Sequence, residues 1–286
     1  MNTDINRNYF LRRRLGTVVC MAVLIVWALI TFAPIFLLII NSFKPNTSIV
    51  GNPVAMPENF DFQYIISAAN QMHFLKSIGW TFLITTVSLI LIVLVSSAAA
   101  WMLARNKTKL SSLIFMAFVA AMLIPFQAIM YPLIQFFDGM GLKNIPGLIV
   151  MYGGFGLSMS IFLYHGFVKS VPRAVEEAAI IDGCNVFQLF FFVSMPLLKP
   201  ITIMVIITNA MWIWNDYLLP FLVIGNSENK TLVLALYFSR ILAGQYGNPW
   251  QLIFPAVFIT IAPMIVAFIA LQKYIVKGIN AGAVKD

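Results

Sequence analysis

Residues 170–200 read SVPRAVEEAAIIDGCNVFQLFFFVSMPLLKP, and this stretch decides how the rest of the chain is interpreted. The stretch is rich in charge, whereas long apolar runs precede and follow it. Because a charged side chain at the centre of a bilayer costs about 2.5–3.5 kcal/mol or more, the segment is predicted to lie outside the membrane, between two spans. The charged residues of the segment and its edges are Lys169, Arg173, Glu176, Glu177, Asp182 and Lys199.

The same stretch is patterned as a helix–turn–helix. Ser170 and Pro172 are typical of a helix start, and Gly183 supplies the left-handed residue that ends a helix. Asn185 is expected to cap a second helix over Val186–Val193. The apolar positions that recur at helical spacing along the first helix are Val171, Ala174, Val175, Ala178 and Ile181.

Two interpretations of this helix–turn–helix follow from the residues alone. A short amphipathic helix with small side chains suits insertion into a cleft on another protein. The alternative is an amphipathic loop lying on lipid. Glu176, Glu177 and Asp182 favour docking to a protein, because the anionic inner leaflet would repel them.

The spacing of motif residues adds a family resemblance. Glu177-Ala178-Ala179 is followed after three residues by Gly183 and, nine residues later, by the segment Val193-Ser194-Met195-Pro196. This spacing resembles the EAA loop of ABC-importer permeases, with Val193 and Met195 in place of the usual Ile and Leu. The resemblance implies a coupling helix that docks into a groove of a separate ATPase subunit. The residues carried over as ATPase-coupling residues are Glu177, Ala178, Ala179, Gly183 and Pro196.

The acidic pair of the motif leads to a prediction about exposure. Adjacent residues on a helix point about 100° apart, so Glu176 and Glu177 cannot share one partner equally. We expect Glu177 to face a basic residue of the ATPase and Glu176 to be the more exposed of the two.

Composition indicates an all-α membrane protein with a single permease domain over residues 1–286. The chain is 61% hydrophobic and 10% charged, whereas soluble domains have about 25% charged residues. Residues 41–77 are expected to form an outer loop with little regular structure, and Pro125 and Pro132 are expected to bend the third span. The predicted segments are an N-terminal segment at 1–14, spans at 15–40, 78–104, 110–137, 147–168, 201–224 and 251–275, a coupling loop at 169–200 and a tail at 276–286.

The distribution of basic residues predicts the orientation. With these spans, thirteen of the 18 Lys and Arg side chains fall on one side of the membrane. Because basic residues gather on the cytoplasmic side, both termini and the coupling loop are predicted to be cytoplasmic. The net charge of +8 is therefore attributed to membrane topology and not to nucleic-acid binding. Trp101 is interpreted as an anchor at the inner interface, and Gly154/Ser158 and Gly156/Ser160 as close-packing pairs in the fourth span.

A polar patch inside the fifth span is the candidate substrate path. An intramembrane carboxylate such as Asp216 usually faces protein or a cavity. Aromatic rings beside amide and carboxyl groups are also the groups that hold sugars. The alternative, which the residues alone favour, is a structural or gating role, with a helix–helix hydrogen bond and aromatic side chains at the interface. The candidate residues are Trp212, Trp214, Asn215, Asp216 and Tyr217.

The resemblance also assigns roles to an outer loop and to the tail. The segment 244–249 is rich in turn residues and precedes the sixth span. In maltose-type permeases a loop at the corresponding position reaches into the solute-binding protein, and the alternative is a plain turn. The segment 272–285 resembles the closing segment of the same family, which contacts the ATPase, and its alternative is a disordered end. The candidate binding-protein contacts are Gln245, Tyr246, Gly247 and Asn248.

Several classes of chemistry find no motif in this sequence. No phosphate-binding loop of the type G-x-x-x-x-G-K-[ST] occurs, and neither HExxH nor GxSxG is present. His73, His165, Cys20 and Cys184 are isolated, so neither a metal site nor a disulfide framework is predicted. The chain is therefore not expected to be an enzyme, and ATP and Mg²⁺ are expected on a partner ATPase.

Taken over the whole chain, the sequence resembles a six-span permease of the type I ABC importer fold, in the maltose-type carbohydrate group. The resemblance implies a multi-pass protein of the inner membrane that translocates a sugar or oligosaccharide. It also implies a heterodimer with a second permease, an ATPase dimer, a solute-binding protein and surrounding lipid. The alternative is a permease for a non-sugar solute such as glycerol 3-phosphate. A membrane enzyme is disfavoured, because no catalytic residues cluster in the sequence.

Overall fold

The computed structural model describes residues 2–225, 227–244 and 248–283, and the side chains of residues 14, 16–225, 227–240 and 248–270. Regular structure within these ranges is helical throughout, as the composition predicts. The helices are α1 (Asn2–Asn41), α2 (Asn46–Gly51), α3 (Gln63–Gln71), α4 (Phe74–Arg105), α5 (Lys109–Ala121), α6 (Phe126–Gly139), α7 (Ile145–Val168), α8 (Arg173–Ile181), α9 (Val186–Gln188), a π-helix (Leu189–Ser194), α10 (Met195–Leu197), α11 (Lys199–Asn215), α12 (Leu218–Ile224), α13 (Leu232–Gly244) and α14 (Trp250–Ala283).

The number of membrane spans depends on how two bent helix pairs are counted. Four segments of the described chain are long and apolar enough to cross a membrane: Gly16–Asn41, Phe74–Arg105, Ile145–Val168 and Trp250–Ala270. Two bent pairs raise the number to as many as six if each pair is one span. These pairs are Lys109–Ala121 with Phe126–Gly139, bent by 103°, and Val186–Leu197 with Lys199–Asn215, bent by 76°.

The third and fifth predicted spans are both interrupted. The run 110–137 is divided into α5 and α6, and Pro125 stands at the N-cap of α6 with Pro132 inside that helix. Proline lacks the N–H that would continue the helix and restricts the residue before it, so the chain turns sharply here. The run 201–224 is divided at Asp216, where the backbone becomes extended between α11 and α12.

The ends of the chain are more helical than the sequence indicates. The N-terminal segment 1–14 is continuous with the first span from Asn2, within α1. The predicted tail is helical as far as Ala283, as the end of α14.

The prediction that residues 41–77 have little regular structure is wrong, because α2 and α3 lie within them. The connection is also held by a buried cation. Lys44 is 2% exposed, and its Nζ donates to the carbonyl oxygens of Asn52 at 3.4 Å and Pro53 at 3.3 Å. Burial lowers the pKa of Lys44 below its ordinary value.

The described chain divides into two compact units. The first comprises Met1–Gln71 and Arg240–Ile259, and the second comprises Met72–Ser239 and Thr260–Asp286. The EAA loop and the polar patch of the fifth span both belong to the second unit. A single permease domain over residues 1–286 stays a prediction.

The core of the second unit is built on the contact between α4 and α7. Ile92 and Tyr152 are fully buried in this contact. Gly156 allows the close approach, since a Cβ at this position would collide with Ile92 and would lie 2.9 Å from Asn209 Oδ1. By contrast, a Cβ on Gly154 would meet nothing within 4 Å. The predicted Gly156/Ser160 pair therefore packs closely against neighbouring helices, whereas Gly154 of the second predicted pair lies at an exposed position.

Candidate functional site

The first helix of the EAA loop, α8, is fixed to the rest of the unit by Glu176. This side chain is 7% exposed, and both of its oxygens accept hydrogen bonds from Arg105: Oε2 from Nε at 2.8 Å and Oε1 from Nη2 at 2.9 Å. Oε1 also accepts from Trp101 Nε1 at 3.0 Å and Ser194 Oγ at 3.2 Å. One carboxylate therefore joins α4, α8 and the π-helix.

Charge and hydrogen bonding favour the ionised form of Glu176. Burial alone would raise its pKa, but the hydrogen bonds from Arg105 and Trp101, the charge of Arg105 and the hydroxyl of Ser194 outweigh burial and lower the pKa below the ordinary value. A bidentate guanidinium–carboxylate pair is among the strongest polar contacts in proteins. The network is a fixed attachment point for α8.

The prediction that Glu176 is the more exposed member of the acidic pair is wrong. Glu176 points toward the end of α4, and Glu177, which projects about 100° away, is the exposed one. Trp101 is also not an interface anchor, since it is 8% exposed and bonded to Glu176. The signal available in the sequence was the pair Trp101 and Arg105, two donors one helical turn apart at the end of α4.

The turn after α8 has the conformation that the motif predicts. Gly183 has φ +87°, in the left-handed region, which confirms the expected helix end. Its N–H donates to the carbonyl of Ile180 at 3.0 Å, and the N–H of Cys184 donates to that of Ala179 at 3.0 Å. This double closure is a Schellman-type turn, which satisfies the last carbonyl groups of the helix.

The second helix of the loop begins as predicted but changes type. Asn185 Oδ1 accepts from the N–H of Gln188, and Gln188 Oε1 accepts from the N–H of Asn185, which forms a capping box. From Leu189 to Ser194 the chain is π-helical instead of α-helical. The wider turn brings Phe190 and Ser194 to one buried side, where Phe190 packs on Trp101 at 5.5 Å between ring centroids.

The remaining motif residues lie on the outer surface of this loop. Ala178, Gly183 and Pro196 are exposed and Ala179 is half-buried. The apolar stripe of α8 is not covered by the chain either, since Ile181 is 85% exposed. We use the name "coupling surface" for six exposed side chains of the predicted coupling loop, Glu177, Ala178, Ile180, Ile181, Val186 and Phe187.

The polar patch of the fifth span is centred on a helix break. Asp216 ends α11, and its Oδ1 accepts from the N–H of Leu218 at 2.9 Å, so it also begins α12. Its Oδ2 accepts from the hydroxyl of the fully buried Tyr152 at 3.0 Å. Both of these donors to the carboxylate are neutral.

The other predicted path residues separate into different surroundings. Trp212 lies edge-on to Tyr152, with 5.5 Å between ring centroids. Asn215 is exposed, and its Nδ2 donates to the carbonyl of Met211 at 2.7 Å. Trp214 Nε1 is buried without a hydrogen-bond partner among the described residues. Tyr217 stacks at 5.2 Å on Tyr237 of α13.

A cavity of about 700 Å³ lies beside this patch, and of the five predicted residues its lining includes Trp212. Asn209, which the sequence analysis did not select, also lines the cavity. Its Nδ2 donates to Ser160 Oγ at 3.1 Å and to the carbonyl of Val205 at 2.9 Å. The lining consists of apolar, aromatic and small polar side chains, with Thr208 and Ser158 beside Asn209, and includes no charged residue.

The predicted contact with a binding protein falls mostly outside the described residues. Gln245, Tyr246 and Gly247 lie there, and only Asn248 is described. Asn248 is exposed, and its carbonyl accepts from the N–H of Trp250 at 2.9 Å. The contact stays a prediction.

Comparison with known proteins places the chain in a family. Residues 93–281 match the family described as the inner membrane component of binding-protein-dependent transport systems. A probable starch degradation products transport system permease of Thermoanaerobacterium thermosulfurigenes is 38% identical over 92% of this chain and 94% of its own length. A multiple sugar-binding transport system permease of Streptococcus mutans is 31% identical over 97% of this chain and 98% of its own length.

A solved structure shares the fold. It is that of a bacterial ABC transporter involved in import of the acidic polysaccharide alginate, with a TM-score of 0.81 and 21% identity over 91% of this chain and 96% of that one. Together with the EAA loop and the apolar helices, these matches show that the chain belongs to the inner-membrane permease components of binding-protein-dependent ABC importers.

Proposed function

We propose that this chain translocates a sugar or oligosaccharide that a solute-binding protein delivers, and that a separate ATPase drives the transport. The relatives named above are permeases for starch degradation products and for multiple sugars, and their similarity extends over nearly the whole chain. ATP and Mg²⁺ are bound by the ATPase and not by this chain.

The coupling role is carried by one observation: Glu176 is bonded inside the permease while Glu177 points outward. An anchored helix transmits movement, because displacement of the coupling surface must also displace the end of α4 through Arg105 and Trp101. The exposed apolar side chain of Ile181 favours a protein partner. In this proposal, ATPase closure pushes α8, and the spans rearrange to alternate access.

The substrate path is assigned to the cavity beside Trp212. An indole ring with Asn209, Ser158 and Thr208 offers an apolar face together with hydrogen-bonding groups, which suits a neutral sugar. A phosphate ester such as glycerol 3-phosphate needs cationic partners, and the described lining contains none. Asp216 and Tyr217 contribute through the helix break, and Trp214 and Asn215 have no assigned contact with substrate.

The assembly proposed is a heterodimer with a second permease, bound to two ATPase subunits. Both termini lie in the cytoplasm, since the basic residues concentrate on that side. The loop that ends at Asn248 then faces outward, where a solute-binding protein docks.

Reconstitution tests the proposal. The two permeases, the ATPase and the binding protein are placed in proteoliposomes, and uptake of radiolabelled maltotriose, raffinose and glycerol 3-phosphate is measured with and without ATP. We expect ATP-dependent uptake of at least one sugar and none of glycerol 3-phosphate. Uptake of glycerol 3-phosphate alone, or sugar uptake that persists without the ATPase, contradicts the proposal.

A further inference from the structure

A groove of about 860 Å³ lies where the end of α4, the start of α5 and the connection from α7 to α8 meet. Its lining includes the four cationic side chains Arg105, Lys107, Lys169 and Arg173, and it includes no acidic residue. The groove adjoins the Glu176 attachment, with which it shares Arg105, and none of its lining residues lines the cavity beside Trp212.

Most of this positive charge is not neutralised within the described chain. Among the described residues, Arg105 forms an ion pair with Glu176 and Lys76 forms one with Glu228. Only the first of these pairs involves a groove residue. Arg173 donates its Nη2 to the backbone carbonyl of Arg105 at 3.0 Å, which leaves its charge unbalanced. Lys107, Lys169 and Arg173 therefore direct three net positive charges to one groove.

The polarity of the groove lining decreases along α5, from cationic through hydroxyl-bearing to apolar side chains. Lys107 precedes the helix, Ser111 and Ser112 follow in its first turn, and Phe115 and Met116 line the groove one turn further on. At 1.5 Å per residue, the distance along the chain axis from Ser111 to Phe115 is about 6 Å. Met116, at the apolar end of this lining, is 57% exposed. Cations, hydroxyl groups and apolar side chains thus succeed one another.

This order matches the order of groups in a phospholipid. We propose that the groove binds an anionic phospholipid of the inner leaflet, with its phosphate between Lys107 and Lys169, its glycerol region near Ser111 and an acyl chain along Phe115. Basic pockets between membrane helices on the cytoplasmic side suit anionic headgroups. A free phosphate ion would use the cations and leave the apolar end of the groove unfilled.

The location gives the bound lipid a regulatory position. The groove shares Arg105 with the Glu176 attachment and shares Arg173 with the first turn of α8. A headgroup in the groove therefore contacts the element that carries the coupling surface. The proposal depends on the cytoplasmic orientation of this loop, and it does not depend on which solute is transported.

The test is a lipid titration of the purified full-length chain, with its co-purifying subunits, followed by native mass spectrometry. The probes are dioleoyl-phosphatidylglycerol and, for comparison, zwitterionic dioleoyl-phosphatidylcholine. The double variant Lys107→Gln/Lys169→Gln removes two groove cations. The matched control Lys109→Gln/Lys199→Gln removes the same charge from exposed positions outside the groove.

We expect the wild type and the control to bind phosphatidylglycerol at least tenfold more tightly than phosphatidylcholine. The groove variant should lose roughly 10- to 30-fold in apparent affinity for phosphatidylglycerol. Each basic residue near an anionic headgroup contributes roughly three- to fivefold in affinity, and the variant lacks two of them. Equal affinity in the groove variant and the control overturns the proposal.

Further measurements distinguish a lipid site from a site for free phosphate and from a contact with the ATPase. Inorganic phosphate at 10-fold excess over the lipid should leave phosphatidylglycerol bound, and complete displacement would identify a site for the free ion instead. If the groove variant loses the ATPase subunit while lipid affinity is unchanged, the cations serve the ATPase and the lipid proposal is wrong. A reporter fused after Lys109 that appears outside the cell would contradict the orientation, independently of lipid affinity.

Discussion

Glu176 and Asp216 are two carboxylates held inside the second unit, and their partners differ in kind. Glu176 accepts from the guanidinium of Arg105 and from two neutral donors, Trp101 and Ser194. Asp216 accepts from the hydroxyl of Tyr152 and from backbone N–H groups at the start of α12, that of Leu218 among them. One carboxylate is therefore compensated by a cation, whereas the other is held by dipoles alone at a break between two helices.

From this difference we infer that the Glu176 attachment stays fixed and that the helix break at Asp216 is where the chain moves. Removing a partner from a compensated pair leaves an unpaired charge, so the Glu176 attachment is held strongly in one arrangement. Asp216 is held at a helix break by neutral hydrogen bonds, which contribute about 1 kcal/mol each. Breaking them when α12 moves relative to α11 therefore costs less free energy than breaking the Glu176 pair. We infer that the EAA loop moves as a rigid element and that the fifth span bends at Asp216.

The largest effect is expected from breaking the compensated pair. Glu176→Gln keeps the size of the side chain but leaves Arg105, whose side chain is 14% exposed, without its counter-charge. Loss of one partner of such a pair destabilises by about 3 kcal/mol. The free energy of unfolding, measured in mixed detergent–SDS micelles, should fall by this amount, whereas the neighbouring Glu177→Gln should leave it unchanged.

A double-variant cycle shows whether the loss comes from the pair. Arg105→Gln removes the cation, and the combined variant Arg105→Gln/Glu176→Gln should be clearly more stable than the sum of the two single losses predicts. Additive losses would mean that Arg105 and Glu176 do not depend on each other.

The pH dependence of stability sharpens the same comparison. The folded-state pKa of Glu176 is depressed, so its contribution is present above its ordinary pKa of 4.5 and is lost as pH falls toward the folded value. The stability difference between the wild type and Glu176→Gln should therefore be constant from about pH 8 to 6 and should shrink below pH 4.5. A difference that grows on acidification would contradict the ionised pair.

A smaller effect is expected at the turn that ends α8. Gly183 has φ +87°, and a Cβ there would meet nothing within 4 Å, so the cost of a side chain comes from the backbone. Gly183→Val should destabilise by about 1–2 kcal/mol and lower substrate-stimulated ATPase activity with membrane insertion intact. Gly183→Asn should be milder, because asparagine tolerates this conformation. Equal activity of the valine variant and the wild type would contradict this account of the turn.

The smallest change in stability is expected on the uncompensated side. Tyr152→Phe removes one hydrogen bond to Asp216 and should cost about 1 kcal/mol. The matched control is Tyr164→Phe, also on α7, which removes a similar hydrogen bond to Thr202 Oγ1, a residue in the first turn of α11 and not at the break. Sugar uptake in proteoliposomes should fall several-fold with Tyr152→Phe and remain near the wild-type rate with Tyr164→Phe. Equal rates would contradict a role of the break in transport.

The local features of the coupling loop could be predicted from the sequence because they depend on neighbouring residues. The positive φ of Gly183 and the capping box of Asn185 each involve groups within a few positions along the chain. The spacing of the EAA motif also predicted the family, and the matches to known permeases confirm it.

Features that depend on distant residues could not be predicted in this way. Glu176 meets Arg105 and Trp101, which lie 71 and 75 residues earlier, so neither the helix period nor the motif shows which acid is buried. The hydrogen bond from Tyr152 to Asp216 at the helix break likewise joins residues that are 64 positions apart. Apolar residues precede and follow the polar patch, which is why residues 201–224 were predicted as a single span.

Maleimide labelling shows whether Glu177 lies on a surface that the ATPase covers, as the proposed coupling role requires. In a background with Cys20→Ser and Cys184→Ser, Glu177→Cys is labelled in membranes that contain the permease with or without its ATPase. Lys109→Cys, an exposed position on the same predicted side, controls for access of the reagent. We expect at least tenfold slower labelling of Glu177→Cys when the ATPase is present, with the labelling rate of Lys109→Cys unaffected. Equal labelling of Glu177→Cys with and without the ATPase would contradict the proposed coupling role.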